Sequence, residues 1–279
     1  MSPPAPPPLR LAPSLAAGHQ LLWMAAVGQM PLPARLVATA ASPASRDAVP
    51  PGPAAPPFRS PERRWSGDGW LLLRRGGSVG VPGAAFATYG ASQAGAVLRY
   101  RIDPASGHRP TAYVRGTAAL NGSGERELAG GLSLRPLAGV PVTASAELRA
   151  TRLAGGAVRL RPAAALVTEI APVALPAQTR AEFYAQAGYV GGAAATAFVD
   201  GQLRLDRRIA GVGRSELRAG GGVWGGAQKG AARLDAGPSA TLGFPAGAGA
   251  ARLGFDWRFR IAGNAVPASG PALTLSAGF

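Results

Sequence analysis

The stretch Ala251-Arg252-Leu253-Gly254-Phe255-Asp256-Trp257-Arg258-Phe259-Arg260-Ile261-Ala262 decides the fold. Leu253, Phe255, Trp257, Phe259 and Ile261 fall on one parity, and Arg252, Asp256, Arg258 and Arg260 on the other. Side chains of a β-strand alternate between its two faces, so this segment reads as a strand with one oily and one charged side. The same sorting works elsewhere. Val142, Ala144, Ala146, Leu148 and Ala150 oppose Thr143, Ser145, Glu147, Arg149 and Thr151; Val199, Leu203, Leu205 and Ile209 oppose Asp200, Gln202, Arg204, Asp206 and Arg208. Leu98, Tyr100 and Ile102 oppose Arg99 and Arg101, and Leu128, Leu132 and Leu134 oppose Glu125, Glu127 and Arg135.

Working outward from these segments, the pattern predicts strands near 69–75, 93–102, 111–120, 125–136, 142–152, 157–169, 178–189, 196–209, 215–227, 231–243, 251–262 and 271–279. Turn chemistry separates them, as in Asn121-Gly122-Ser123-Gly124, Gly155-Gly156 and Gly211-Val212-Gly213. A soluble antiparallel sandwich also alternates, and a secreted sandwich acting as a binding module is the alternative reading. Three features favour a membrane barrel. The strands are long enough to cross a bilayer when tilted, since about 9–11 residues are needed. They follow one another through short hairpins. The sequence closes on Leu273-Thr274-Leu275-Ser276-Ala277-Gly278-Phe279, with Leu273, Leu275, Ala277 and Phe279 on the apolar parity. The expected fold is all-β: a closed antiparallel up-and-down transmembrane β-barrel of about 12 strands in the outer membrane.

Composition narrows the chemistry. The 279 residues carry 29 Lys+Arg against 14 Asp+Glu, a formal charge of +15, with 2 His and no Cys. Without cysteine there are no disulfides, thiol nucleophiles or thiolate metal sites. The basic charge is nearly all arginine, set singly among apolar residues with no basic run, so nucleic acid is not an expected partner. No 18-residue apolar run offers a transmembrane helix. More than half of the 27 prolines lie in residues 1–68. This segment reads as a disordered Pro/Ala-rich tail, whose apolar patch Leu21–Val27 is open to three readings, a degenerate export signal, a misplaced start or part of a longer protein, and residues 69–279 read as the barrel.

The last strand is similar to the C-terminal strand of bacterial outer-membrane proteins, in which a terminal aromatic follows alternating apolar residues; here Ala277 replaces a second aromatic. The resemblance implies that Leu273, Leu275, Ala277 and Phe279 form an assembly signal read by the barrel-assembly machinery. Residues 70–279 also resemble alphaproteobacterial barrels related to the C-terminal domains of phage-adsorption and cellulose-export proteins. The resembling stretches are Tyr184-Ala185-Gln186-Ala187-Gly188-Tyr189-Val190-Gly191-Gly192, Gly222-Val223-Trp224-Gly225-Gly226-Ala227-Gln228-Lys229-Gly230 and Arg260-Ile261-Ala262-Gly263-Asn264. Those relatives carry helical repeats before the barrel, and residues 1–68 carry none. The resemblance implies cell-envelope export components as partners and a link to polysaccharide export.

The charged parity predicts a lumen lined by Arg99, Arg101, Arg115, Glu125, Glu127, Glu147, Arg149, Arg159, Arg161, Glu182, Asp200, Arg204, Asp206, Glu216, Arg218, Asp256, Arg258 and Arg260. Opposite charges in a bore of roughly 12 Å backbone radius can pair into a salt-bridged plug, and excess arginine would favour anions in a narrow, porin-like channel. The expected role is a structural surface protein or such a channel, with outer-membrane lipid around it. Trp70, Tyr100, Tyr113, Phe183, Phe244 and Trp257 are candidates for an interfacial girdle. With both ends of the barrel on the periplasmic side, only the outer loop 76–92, with Val79, Val81, Pro82, Phe86 and Tyr89, is long enough to hold a ligand. No enzyme is expected: His108 lies in a turn, and nucleophile-elbow, Walker and HExxH motifs are missing. No metal or cofactor is expected either.

Overall fold

The computed structural model describes residues 64–75, 92–120, 126–152, 156–192, 195–247, 249–265 and 267–279. Thus the tail up to residue 63, Glu125 and nearly all of the long loop 76–92 lie outside the described residues. Thirteen strands follow in order: β1 (Trp65–Arg74), β2 (Gln93–Arg101), β3 (Thr111–Ala119), β4 (Arg126–Leu134), β5 (Val142–Arg152), β6 (Val158–Thr168), β7 (Val173–Leu175), β8 (Thr179–Val190), β9 (Thr196–Val212), β10 (Ser215–Gln228), β11 (Ala231–Ala246), β12 (Gly249–Gly263) and β13 (Gly270–Gly278). β1 starts at Trp65, four residues before the expected boundary.

Each strand except β6 and β7, which do not pair with each other, pairs antiparallel with its sequence neighbours, and two further pairings close the ring. β1 joins β13, with Asp68 opposite Gly278 and Arg74 opposite Ala272. β6 joins β8, with Ala163 opposite Val190 and Val167 opposite Gln186. The short β7 pairs with the start of β8, Val173 opposite Ala181, so β6 and β7 are two pieces of one broken edge. Twelve strands therefore form the wall of a closed barrel. Closure overturns the sandwich alternative, because a closed sheet leaves no second layer for its apolar face to pack on.

The wall strands run from 9 to 17 residues. Ten residues rising about 3.3 Å each and tilted about 40° span roughly 25 Å, the height of an outer-membrane apolar band. The outward parity is oily. Leu98, Val114, Leu128, Leu148, Leu160, Phe183, Leu203 and Ile261 are all exposed, Phe255 by 48% and Phe259 by 52%, whereas Asp256 and Arg258 between them are 0% and 3% exposed. Leaving such side chains in water would cost about 1.5–3 kcal/mol each, so this belt belongs in hydrocarbon.

Inside, charges share the space with an apolar cluster of Trp70, Leu72, Val97, Val167, Tyr184, Val190, Phe198, Trp224 and Ala272, drawn from β1, β2, β6, β8, β9, β10 and β13. Glycines on the same inward parity make room for the large rings. A Cβ on Gly95 would collide with the Trp70 indole and the Thr117 methyl, and one on Gly222 with the Trp224 indole.

The girdle expectation needs two corrections. Trp70 is buried inside, since the β1 register turns Asp68, Trp70, Leu72 and Arg74 to the lumen. Tyr113 shares the parity of Arg115, and its hydroxyl donates to Glu147 Oε2 at 3.0 Å. Tyr100 does stand outside, its ring centroid 4.9 Å from that of Trp65.

Candidate functional site in the barrel interior

The wall brings the inward charges into clusters, because residues opposite each other on neighbouring strands have Cβ atoms about 5 Å apart, within reach of Arg and Glu. In the first cluster, across β3 to β6, Arg115 Nη2 donates to Glu127 Oε1 at 2.8 Å and to Glu147 Oε1 at 2.9 Å. Arg149 Nε donates to Glu147 Oε1 at 2.7 Å, Thr151 Oγ1 to Glu127 Oε2 at 3.0 Å, and Arg161 approaches Glu127 at 3.9 Å. Arg115 and Arg149 are fully buried.

A second cluster ties β1 to β11 and to the β12–β13 connection. Arg74 Nη2 and Arg233 Nε both donate to Asp235 Oδ2, at 3.1 and 2.7 Å. Arg233 also donates to the carbonyls of Ala265 (3.0 Å) and Pro267, which folds that connection over the bore. Asn264 Oδ1 accepts from the Ala232 amide at 3.0 Å and holds the same connection against β11.

The third cluster reaches across the lumen. Arg204 on β9 donates to Asp256 Oδ2 on β12 at 2.8 Å, and Arg258 donates to the same oxygen at 2.9 Å. Ser239 completes the carboxylate by donating to Oδ1 at 2.8 Å. Trp224 lies against both cations, 4.5 Å from Arg258 and 5.5 Å from Arg204. Nearer the end of the barrel that carries the start of β1 and the end of β13, Arg252 donates to both Glu182 oxygens (3.1 and 2.8 Å). Arg180 bridges Glu182 and Asp206, at 2.8 and 3.1 Å, and Arg218 pairs with Asp206 and Glu216.

Asp200 is different. It is buried and held by Gln186 at 2.6 Å, but among the described residues no arginine or lysine lies within ion-pair distance of it. The other residues picked from the sequence sit nearer the rims. Arg99 is bound to Asp68, and Arg101 is half-buried. Arg159 and Arg260 keep the inward register, opposite Thr151 and Asp235, but both are exposed at the rim rather than lining the bore; Arg260 donates to the Ala265 carbonyl at 3.1 Å.

Arg74, Arg180, Arg233, Asp235 and Arg252 belong to the clusters, and Asp68 pairs with Arg99 nearer the rim, without being among the residues picked from the sequence. Asp68 precedes the expected start of β1, and parity already places Arg252 with Asp256 and Arg258. Arg233 and Asp235 alternate with Leu234 inside an expected strand, so the same sorting applied there finds them.

Outside the strands, His108 is exposed in the β2–β3 connection, its Nδ1 2.8 Å from the Arg135 carbonyl oxygen. Glu169 binds Arg135 (2.9 and 2.6 Å) and Arg109 (3.4 Å), which ties three connections together at one rim. Burial alone would raise the pKa of Glu169, but hydrogen bonds from Thr143 and Arg135 and the charges of Arg109 and Arg135 bring it below the usual carboxylate range. The terminal strand keeps Leu273, Leu275, Ala277 and Phe279 on the outer face, and the Phe279 ring covers Gly67 of β1.

No family model and no curated protein matches the chain. Among solved structures it is similar to the beta domain of the Bordetella autotransporter BrkA, at 13% identity over 77% of this chain and 98% of that one, TM-score 0.41. It is also similar to LpxR from Salmonella typhimurium (11%, 77% and 99%, TM-score 0.39) and to the Acinetobacter baumannii outer membrane protein Omp33 (12%, 77% and 97%, TM-score 0.32). The fold rests on the chain's own strand pairing: it is a closed twelve-stranded β-barrel of the outer-membrane kind, oily outside and arginine-rich within.

Proposed function

We propose that the chain is a structural surface protein of the outer membrane whose bore is plugged by its own side chains, rather than an open pore. One observation carries this reading. Arg115, Arg149, Leu72, Tyr184, Asp235 and Asp256 point inward from strands around the ring, and each is under 2% exposed. Side chains lining a continuous water column would be wetted, as in large porins. Clusters that span the wall, such as Arg204 with Asp256, also brace the barrel from inside.

Planar-bilayer recording of the folded, purified barrel tests the proposal, and it should show no steady conductance. The second reading, a narrow anion-preferring passage, is supported by the surplus of arginine over carboxylate among the interior groups. Steady currents with anion-selective reversal potentials would establish that reading and remove the first. Export of polysaccharide rests on the sequence resemblance alone and needs a wider bore than these clusters leave. Recognition by the barrel-assembly machinery is likewise our reading of the outward row ending in Phe279.

A further inference from the structure

We propose that the interior cluster of Arg204, Arg252 and Arg258 with Glu182 and Asp256 is a binding site for a doubly charged oxyanion, a phosphate or sulfate group. Charge is the first reason. Arg204 and Arg258 share the single oxygen Oδ2 of Asp256, and Arg252 and Arg180 share Glu182. The further carboxylate that Arg180 reaches, Asp206, is also taken by Arg218. Arg204 is within electrostatic reach of both Arg252 and Arg258, so cations outnumber the carboxylates that neutralise them. Arginine keeps its proton, and an uncompensated buried cation carries a desolvation penalty that an incoming anion removes.

Unused donors are the second reason. Arg204 Nε and Arg252 Nη2 are buried and have no hydrogen-bond partner. A buried donor left unpaired is costly, and guanidinium forks match the oxygens of a tetrahedral oxyanion in spacing and direction. Gly254 on β12, whose absent side chain would stand 3.7 Å from Arg204 Nη1, leaves the guanidinium facing bare backbone. Access is the third. The Arg252 side chain is 23% exposed and sits near the rim at the start of β12, so an ion can enter from that end without a through-pore. The site therefore does not depend on whether the bore conducts.

The test uses the folded full-length barrel in neutral detergent, titrated with inorganic phosphate, with sulfate, and with chloride at constant ionic strength. Two signals are followed: the melting temperature read from heat-modifiable migration, and tryptophan emission, to which Trp224 beside Arg204 and Arg258 contributes. Phosphate and sulfate should raise the melting temperature saturably, and chloride should not. Arg252→Gln should weaken the effect at least tenfold. Glu182→Gln, which removes a competing carboxylate, should strengthen it, and so decides the matter even if Arg252→Gln fails to fold. A short-chain phosphatidic acid titrated alongside separates the sources: a response to it equal to that of inorganic phosphate marks a lipid headgroup as ligand, and a response to inorganic phosphate alone marks a free ion. A folded wild-type barrel with no saturable oxyanion response, an unchanged response in folded Arg252→Gln, or a weaker one in Glu182→Gln would each overturn the proposal.

Discussion

Arg204 and Asp256 stand 52 residues apart in sequence, on strands separated by two others, yet meet inside the barrel at 2.8 Å. Arg258 and Ser239 bind the same carboxylate, which makes Asp256 the hub of a cross-lumen contact. Removing one partner of a buried pair leaves the other uncompensated, at about 3–5 kcal/mol. Asp256→Asn should therefore destabilise the barrel by that amount, and more than Arg204→Gln, because it strands two cations, whereas Arg204→Gln leaves Asp256 paired with Arg258. Urea unfolding of the refolded barrel measures both.

Asp200 should behave in the opposite way. It is buried like Asp256 but has an amide partner, Gln186, in place of a cation. Asp200→Asn keeps the shape and removes the charge, so it should leave the unfolding free energy unchanged or raise it. A loss comparable to that of Asp256→Asn would show that Asp200 is ionised and neutralised by a group not among its described neighbours.

The outer face supplies a third expectation. Phe255 lies at the middle of β12 and points away from the lumen. An arginine placed there would face hydrocarbon near the midplane, at a cost of about 2–4 kcal/mol. Phe255→Arg should lower stability by that amount in lipid vesicles, while Val212→Arg, at the end of β9 and 81% exposed, should cost about 0–1 kcal/mol. Equal costs at the two positions would mean that the belt does not meet a bilayer.

Two glycines should respond differently to enlargement. Gly95 faces the Trp70 indole, whereas a Cβ on Gly116 would have nothing within 4 Å. Gly95→Leu should abolish the heat-modifiable folded band or cost several kcal/mol through overpacking, and Gly116→Ala should stay within about 0.5 kcal/mol of wild type.

Glu169 gives the rim a pH dependence. Its pKa is depressed in the folded state, so the stability it contributes is present above the ordinary carboxylate range and is lost as pH falls through the folded value. Acidification should therefore free the 102–110 and 135–141 connections, which Arg109 and Arg135 tether to Glu169. Limited proteolysis at 135–141 should rise as the pH falls, and Glu169→Gln should be cleaved readily at every pH.

Much of the wall is legible in alternation. In the 251–262 segment every charge and every large apolar residue falls on its own parity, in 142–152 all do except the terminal Arg152, and those strands appear as β12 and β5 with nearly the expected ends. β1 is harder, because Trp70, Leu71, Leu72 and Leu73 are apolar on both parities; only pairing with β2 and β13 turns Trp70 and Leu72 inward. β7 escapes notice because three residues carry no period. The sequence by itself determined that the strands are two-faced and charged on one side, since alternation is a property of neighbours along the chain. The tertiary structure alone decided which of those charges meet. Arg204 finds Asp256, and Arg74 finds Asp235, only because the sheet closes on itself, and no local pattern records which strands that closure places opposite one another.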